Sequence, residues 1–226
     1  LKMGKKNRVA VICGWLMFVV LSPGYALGQQ QDLISLKVSD VPFVKVLEEI
    51  RKDPTVHISV SATTREPRPG EVDGVNYYFM TAEKFQEMVQ QDGMLESAQY
   101  CENFYGTPKK PVEDQLAAGH DVILEIEVVG AMKIRACRPD AVLIFILPPS
   151  LSELERRLRG RQTEEEEVVQ ARIARAVEEM KLADQYDYVL VNDQVPQAVS
   201  DLQAVMRTTR IQSMDKTSLV KEVLSK

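Results

Sequence analysis

Residues 141–147 read AVLIFIL and residues 186–192 read YDYVLVN, two largely apolar runs of strand length. A strand with one solvated face alternates apolar and polar side chains, whereas a strand covered on both faces is apolar throughout. The two runs therefore predict strands of a parallel sheet. Between them lies a helical stretch, as a crossover between parallel strands requires. We predict an α/β fold in which helices cover both faces of the sheet.

The helical stretch carries two signals for a helix N-terminus. Ser150 with Glu153, and Thr163 with Glu166, both match the capping-box pattern, in which a hydroxyl side chain caps the helix and a glutamate follows three residues later. The acidic run at residues 164–167 is then favourable charge at a helix N-terminus rather than a metal site. We predict helices that start near residues 151 and 164.

Composition excludes several classes of function. The chain has 226 residues, of which 45% are hydrophobic and 27% charged, enough for one sizeable core. Its net charge of −5 gives no support for a nucleic-acid-binding surface. Cys13, Cys101 and Cys137 form no CxxC pair, and His57 and His120 are the only histidines. We expect free thiols and no protein-bound metal.

The first 28 residues have the pattern of a secretory signal peptide. Basic residues precede an uncharged run, VAVICGWLMFVV at residues 9–20, and small residues follow at Ala26 and Gly28. This predicts cleavage after Gly28 and only transient membrane contact, because the run is too short for a transmembrane helix. The alternative is a buried strand, for which LMFVVLS at residues 16–22 is the best segment.

The spacing of apolar residues changes within residues 29–52. Ile34, Leu36 and Val38 alternate as in a strand, and the next apolar residues follow helical spacing: Phe43, Val46, Leu47 and Ile50. Asp40 is a candidate N-cap and Pro42 would lie in the first turn. With the signal-like segment, this stretch resembles the N-terminus of TonB-dependent outer-membrane receptors. On that resemblance we expect residues 1–52 to be a receptor fragment.

Two arginines lie in a stiff loop. Arg65 and Arg68 stand in SVSATTREPRPGEVDGVNYYF, residues 59–79, where prolines and a glycine prevent a regular helix. Guanidinium forks presented in this way suit bidentate contacts with phosphate. The alternative is a solvated charged loop. Further on, Tyr77 and Tyr105 offer hydroxyl donors, and Glu96 and Glu127 offer acceptors for N–H groups. Taken alone, each is more often a surface or core residue.

The same stretch resembles guanylate kinase. The similarity continues through LESAQYCENFYGTP (residues 95–108), DVILEIEVVGA (residues 121–131) and the two apolar runs, and it covers nearly all of residues 53–210. The resemblance implies an enzyme that transfers a phosphoryl group from ATP to GMP, with ATP and Mg²⁺ as expected cofactors. It also implies a cytoplasmic location, whereas a signal peptide would direct export.

The resemblance assigns roles to eight residues of the GMP site. It implies that the phosphate and sugar are held by Ser61, Arg65, Arg68, Tyr77 and Tyr105. It implies that guanine is read by Glu96, Thr107 and Glu127. Glu127 stands where many family members have aspartate, and Val129 stands where glutamine is usual.

Arginines cluster in the stretch where the family has a lid that closes over ATP. Arg161 and Arg172 match best, Arg157 also matches, and Arg175 lies nearby. Cationic side chains that arrive on closure neutralise the transferring phosphoryl group. The alternative is that these are surface arginines that pair with the acidic run. Gln162 replaces a usual glycine at the lid turn.

The P-loop motif GxxxxGK[ST] does not occur in these 226 residues. In LSPGYALGQQQ, residues 21–31, Gly28 matches the motif, but Gln29 replaces its lysine and Gln31 its hydroxyl residue. Counting back from Ser61 by the family's usual interval places the lysine near Pro42, where none stands. A neutral amide cannot replace the ammonium group that reaches the β and γ phosphates. We therefore assign no ATP-binding P-loop residues.

These patterns divide the chain into three parts. We predict a signal-like segment at residues 1–28, a receptor-like strand and helix at 29–52, and a guanylate kinase-like domain at 53–226. Within that domain we place a GMP-binding subdomain at about 61–120 and a lid at about 150–180. The P-loop strand would be replaced or missing, with residues 16–22 as a substitute. A chimaera, either a fusion or an artefactual join, would explain this division.

Three functions follow from these observations. The first is a guanylate kinase whose P-loop loss impairs turnover. The second is a non-catalytic module that binds GMP or a phosphopeptide, against which the guanine-reading residues argue. The third is an exported receptor fragment.

Overall fold

The computed structural model describes residues 9–13, 41–100, 102–160, 166–212, 220 and 223–224. Their strands are β1 (Val9–Cys13), β2 (Val56–Ile58), β3 (Ala62–Thr63), β4 (Tyr78–Phe79), β5 (Met94–Tyr100), β6 (Asn103–Pro108), β7 (Asp121–Ile126), β8 (Val142–Leu147) and β9 (Tyr188–Val191). Their helices are α1 (Val41–Ile50), α2 (Ala82–Gln90), α3 (Lys109–Ala118), α4 (Val128–Cys137), α5 (Leu151–Arg159), α6 (Glu166–Met180) and α7 (Val195–Gln212), with a short 3₁₀ helix at Ala183–Gln185.

A parallel sheet forms the centre of the molecule. In the described ranges it has five strands in the order β2-β7-β1-β8-β9, and every pairing between neighbours is parallel. Neighbouring residues of β8 face opposite sides of this sheet, since Leu143 and Phe145 join one apolar cluster and Ile144 joins the other. Both faces of β8 are therefore buried, and the parallel sheet confirms the α/β prediction. The edge strand β9 differs from the expected two covered faces, because Val189 and Val191 are 49% and 46% exposed.

The position of the central strand corrects one prediction. The P-loop strand was expected to be replaced or missing, with residues 16–22 as its substitute, and β1 from the N-terminal segment fills the middle position, with Ile12 opposite Glu125 on one side and Ile144 on the other. The strand comes from the start of the apolar run rather than from residues 16–22, which lie outside the described residues. The uniformly apolar run allows several strand positions, and pairing with β7 and β8 selects one.

Helix α1 confirms the helical spacing predicted before residue 52. Phe43, Val46, Leu47 and Ile50 are all buried, and they pack with Ile123 and Leu202 beneath the sheet and against α7. The predicted cap Asp40 and the predicted strand of Ile34, Leu36 and Val38 lie outside the described residues. Because α1 contributes four core side chains, it is part of the same folded body as the sheet.

A smaller sheet stands beside the central one. Its described strands run β4-β3-β6-β5, and Ala62, Phe85 and Met94 form its own small core. Helix α2 covers this core and begins at Thr81, whose side chain accepts from the backbone N–H of Lys84. This unit carries most residues of the predicted GMP site.

Helices α5 and α6 pack against each other through Leu154, Leu158, Val169 and Ala176. Ser150 caps α5 by accepting from the backbone N–H of Glu153 at 3.1 Å, as the capping pattern predicted. The second predicted cap, Thr163, lies outside the described residues. None of the helices in the described ranges combines the length and the apolar character that a membrane crossing requires.

Candidate active site

The candidate site lies where the parallel strands end. In open α/β sheets, ligands bind beyond the carboxyl ends of the strands. At this edge β1 lies between β7 and β8, and Glu127 follows β7 directly at the start of α4. The fold therefore places a carboxylate beside the carboxyl end of the central strand.

The arginine loop follows β3 and is organised by an acidic residue. Nη2 of Arg65 lies 3.0 Å from Oε1 of Glu71, and both side chains are largely buried. The other carboxylate oxygen of Glu71 accepts from the backbone N–H of Arg68 at 2.8 Å. This bridging glutamate was not singled out from the sequence, although it lies within the quoted motif. It gives the loop a defined conformation, unlike the solvated-loop alternative.

The electrostatics of this loop suit an anion. Burial and the positive charge of Arg65 lower the pKa of Arg68 from its usual value, so the two guanidinium groups are close enough to repel. A bound phosphate would relieve that repulsion with bidentate contacts. Ser61 stands just before β3, where its carbonyl accepts from the backbone N–H of Tyr78 at 2.9 Å.

Two tyrosines line the same loop. The rings of Tyr77 and Tyr105 meet edge to face with centroids 6.2 Å apart, and Arg65 lies 5.5 Å from the centroid of Tyr77. Burial, reinforced by Tyr105, raises the pKa of Tyr77 to about 12. Its hydroxyl therefore stays protonated near neutral pH and can donate to an anionic ligand.

A buried carboxylate and hydroxyl face each other across β5 and β6. Thr107 donates its hydroxyl to Oε1 of Glu96 at 2.8 Å. The other oxygen of Glu96 lies against α4, where a Cβ on Gly130 would be only 2.9 Å away. Burial raises the pKa of Glu96, and the hydrogen bond from Thr107 together with nearby Lys133 opposes that rise.

Glu127 completes the acidic part of the cleft. Its Oε1 is buried and has no hydrogen-bond partner in the described part of the chain. Its Oε2 lies 3.3 Å from Nη2 of Arg175. Burial raises the pKa of Glu127 to about 7, even though Arg175 lowers it. An enclosed acceptor of this kind fits a ligand that brings an N–H donor.

The predicted lid arginines occupy different environments. Nε of Arg157 pairs with Oε1 of Glu153 at 2.6 Å, and Nη1 donates to the backbone oxygen of Asn192 at 3.1 Å. Arg172 is 5% exposed within α6. Arg157 and Arg172 therefore do not match the alternative of surface arginines that pair with the acidic run. Arg159 does match it, because it pairs with Glu166 at the start of α6. Arg161 lies outside the described residues.

Sequence reasoning also missed Glu125. This residue lies on β7 next to the central strand, and burial raises its pKa to about 7. The sequence did contain a signal for Glu125, because EIE at residues 125–127 places two glutamates at the end of an apolar run. Only the second of them, Glu127, was predicted as a site residue. A carboxylate inside an otherwise apolar strand is costly to bury, so such a residue is a candidate for function.

Two parts of the expected phosphate-binding region lie outside the described residues. They are residues 14–40, which follow β1, and Arg161. Within the part of the chain that the structure covers, no group of three or more His, Cys, Asp or Glu side chains gathers as a metal site.

A parallel α/β sheet with an attached small sheet that presents two arginines has the layout of a nucleotide-binding kinase, and comparisons with known proteins agree. The guanylate kinase family model matches residues 44–209. A guanylate kinase from Desulfitobacterium hafniense is 50% identical over 159 residues, which cover 70% of this chain and 80% of that protein. One from Carboxydothermus hydrogenoformans is 48% identical over 167 residues, 74% of this chain and 82% of that protein.

A solved structure gives the same result. The crystal structure of guanylate kinase from Anaplasma phagocytophilum has a TM-score of 0.70 and 26% sequence identity, and the similarity covers 99% of this chain and 97% of that chain. The chain belongs to the guanylate kinase family, the nucleoside monophosphate kinases that the resemblance indicated. The family match starts within α1, at residue 44, and not at residue 53, where the kinase-like domain was predicted to begin.

Proposed function

We propose that this chain binds GMP in the cleft between the two sheets and phosphorylates it from ATP at a reduced rate. One observation carries the proposal. The eight residues assigned to GMP come from separate stretches of sequence, yet five of them are in contact in two groups: Arg65 with Tyr77 and Tyr77 with Tyr105, and Glu96 with Thr107. Glu127 lies close enough to Glu96 for the two charges to interact.

The two ends of the cleft have opposite chemistry. Arg65, Arg68, Tyr77 and Tyr105 offer cations and hydroxyl donors, which suit the phosphate, and Ser61 lies next to them. The other end offers the carboxylate acceptors of Glu96 and Glu127 together with Thr107. A guanine edge presents N–H donors to such acceptors, whereas a phosphopeptide has no need of them. This polarity favours GMP over the phosphopeptide alternative.

We expect reduced turnover because the sequence lacks P-loop residues that would bind the ATP phosphates. In phosphoryl transfer the protein mainly positions groups and neutralises charge, and a single cationic group is worth about 10³ or more in rate. The chain lacks the P-loop lysine and hydroxyl in its sequence. We assign Arg157, Arg161 and Arg172 to the ATP phosphates, with Mg²⁺ supplied in solution as the family expects. A non-catalytic GMP-binding module is the limiting case of this loss.

The N-terminal segment and the location belong to the proposal too. We place the protein in the cytoplasm with its family, and we keep the subdomain at about 61–120 and the lid at about 150–180. The signal-like part at 1–28 and a chimaera stay hypotheses, whereas the receptor-like part at 29–52 overlaps the family match from residue 44 and helix α1 of the folded body. The position of β1 argues against cleavage after Gly28, because cleavage would remove the central strand.

The test is GMP-dependent release of ADP from ATP and Mg²⁺ by the purified chain, with GMP binding measured separately by calorimetry. The control is the double variant Arg65→Ala, Arg68→Ala, which exposes contaminating host kinase. We expect GMP binding that the control loses, with slow turnover. Fast turnover that the control abolishes would refute the impairment, and no GMP binding by the wild type would refute the proposed function.

A further inference from the structure

Arg175 of α6 forms an ion pair with a residue far from it in sequence. Its Nη2 lies 3.3 Å from Oε2 of Glu127, 48 positions earlier. Its Nε donates to Oε1 of Glu179 at 2.7 Å, one turn further along α6. Because a guanidinium group is planar and rigid, the contact with Glu179 fixes the direction in which the remaining N–H groups point. Arg175 thus connects α6 to the first residue before α4.

Glu127 is sensitive to this pair because its other surroundings disfavour charge. Burial raises the pKa of Glu127 to about 7, and the carboxylates of Glu179 and Glu96 act in the same direction. Arg175 is the cation that opposes them. With a pKa close to neutral, a modest change in the local charge alters the fraction of Glu127 that is ionised.

We propose that Arg175 is a positioning residue for base recognition, which holds the Glu127 carboxylate charged and oriented so that Oε1 faces the ligand. This rests on the proposed function, in which Glu127 accepts from guanine. Oε2 contacts Arg175, whereas the buried Oε1 has no partner in the described part of the chain. A protonated Glu127 would present a hydroxyl to the N–H donors of guanine, so the charged form is the one that recognises the base.

The proposal has a second consequence, because α6 follows the arginine-rich stretch of the lid. The Arg175–Glu127 pair is a polar contact between α6 and the residue that reads the base. Arg172, one turn earlier on the same helix, is assigned to ATP. Base recognition and the position of α6 are therefore linked through one ion pair.

The experiment compares GMP affinity in the wild type, Arg175→Met and Arg175→Lys, at several values between about pH 6 and about pH 8.5. Lys181→Met is the matched control, because it removes a nearby exposed cation that pairs with Glu178 rather than Glu127. Affinities are compared between variants at each pH, so that titration of GMP itself cancels. Thermal unfolding of each variant shows that it is folded.

We expect Arg175→Met to bind GMP about 2- to 5-fold more weakly near pH 7, within the range for a partly exposed ion pair. The deficit should shrink as pH rises, because a higher pH restores the ionised Glu127 that Arg175 no longer favours. Arg175→Lys should recover most of the affinity, and Lys181→Met should match the wild type. A deficit that is the same at every pH, or no deficit, would overturn the proposal.

A second measurement does not depend on GMP. Titration of the Glu127 side-chain carboxyl by carbon NMR in the free protein should give a higher pKa in Arg175→Met than in the wild type. An unchanged pKa would overturn the inference even if GMP binds. A raised pKa in a chain that does not bind GMP would refute the proposed function and, with it, the role in base recognition, while leaving the ion pair itself intact.

Discussion

Replacing Gly130 by alanine should weaken GMP binding without unfolding the protein. Gly130 is the third residue of α4, and a Cβ there would lie 2.9 Å from Oε2 of Glu96 and 3.3 Å from its Cδ. Ordinary carbon contacts lie at about 3.5–4.0 Å, so the new methyl group must displace the carboxylate by roughly half an ångström or more. The end of the Glu96 side chain moves more easily than the helix backbone.

The displacement breaks a specific contact. Oε1 of Glu96 accepts from Thr107 at 2.8 Å, and a shift of that size takes the pair beyond the usual range for a hydroxyl donor. A hydrogen bond to a charged group contributes about 1.5–3 kcal/mol, and misplacement of the carboxylate should cost GMP a bond of the same kind. The dissociation constant for GMP should therefore rise about 10- to 150-fold.

Stability should respond differently from binding. Alanine is favoured over glycine inside a helix by about 1 kcal/mol, which offsets part of the lost Glu96–Thr107 bond. Urea unfolding should therefore show a change of at most about 2 kcal/mol, with a cooperative transition retained. Calorimetry gives the GMP affinity of the same samples.

A double-mutant cycle assigns the effect to Glu96. In an E96Q background the carboxylate is already lost, so Gly130→Ala should reduce GMP affinity less than it does in the wild type, with a coupling of about 1 kcal/mol or more. Wild-type GMP affinity in Gly130→Ala would refute the reasoning, and so would losses that simply add in the double variant.

Two further outcomes concern stability. Phe43→Ala should lower the free energy of unfolding in urea by about 3–5 kcal/mol, because Phe43 is fully buried in α1. Lys45→Ala, at an exposed position of the same helix, should leave it unchanged. Equal stability of the two variants would mean that α1 is not part of the core. Burial raises the pKa of Glu125 to about 7, so the folded state binds this proton more tightly than the unfolded state. Glu125 should therefore lower stability by up to about 3 kcal/mol as pH rises from about 4.5 to about 7, and Glu125→Gln should make the total fall smaller by that amount, while Glu127 keeps its own contribution. Urea titrations near pH 5 and pH 8, with the exposed Glu48→Gln as control, test this, and a parallel decline in Glu125→Gln would contradict it.

Local patterns in the sequence were sufficient for much of the fold. The apolar runs predicted both β8 and β9. For β8 the physical reason holds, because a strand buried on both faces has no polar positions, whereas β9 lies at the sheet edge with Val189 and Val191 exposed. Helical spacing predicted the four buried residues of α1, and the Ser150–Glu153 pair predicted the start of α5. These signals depend on side chains within one or two turns of each other, so they are readable without the tertiary structure. The motifs around Arg65 and Glu127 likewise indicated the family.

Other features depend on contacts between distant residues, and only the tertiary structure decided them. The run at residues 9–20 is apolar throughout, so pairing with β7 and β8, not composition, placed the central strand at Val9–Cys13. The spacing of α1 predicted a helix but not its partners, and packing against α7 places it in the kinase body. Three features of the site also depend on contacts between distant residues. They are the close approach of Gly130 to Glu96, the pairing of Arg175 with Glu127, and the burial that raises the pKa of Glu125. Each is a property of two surfaces brought together by folding, and no local stretch of sequence contains both of them.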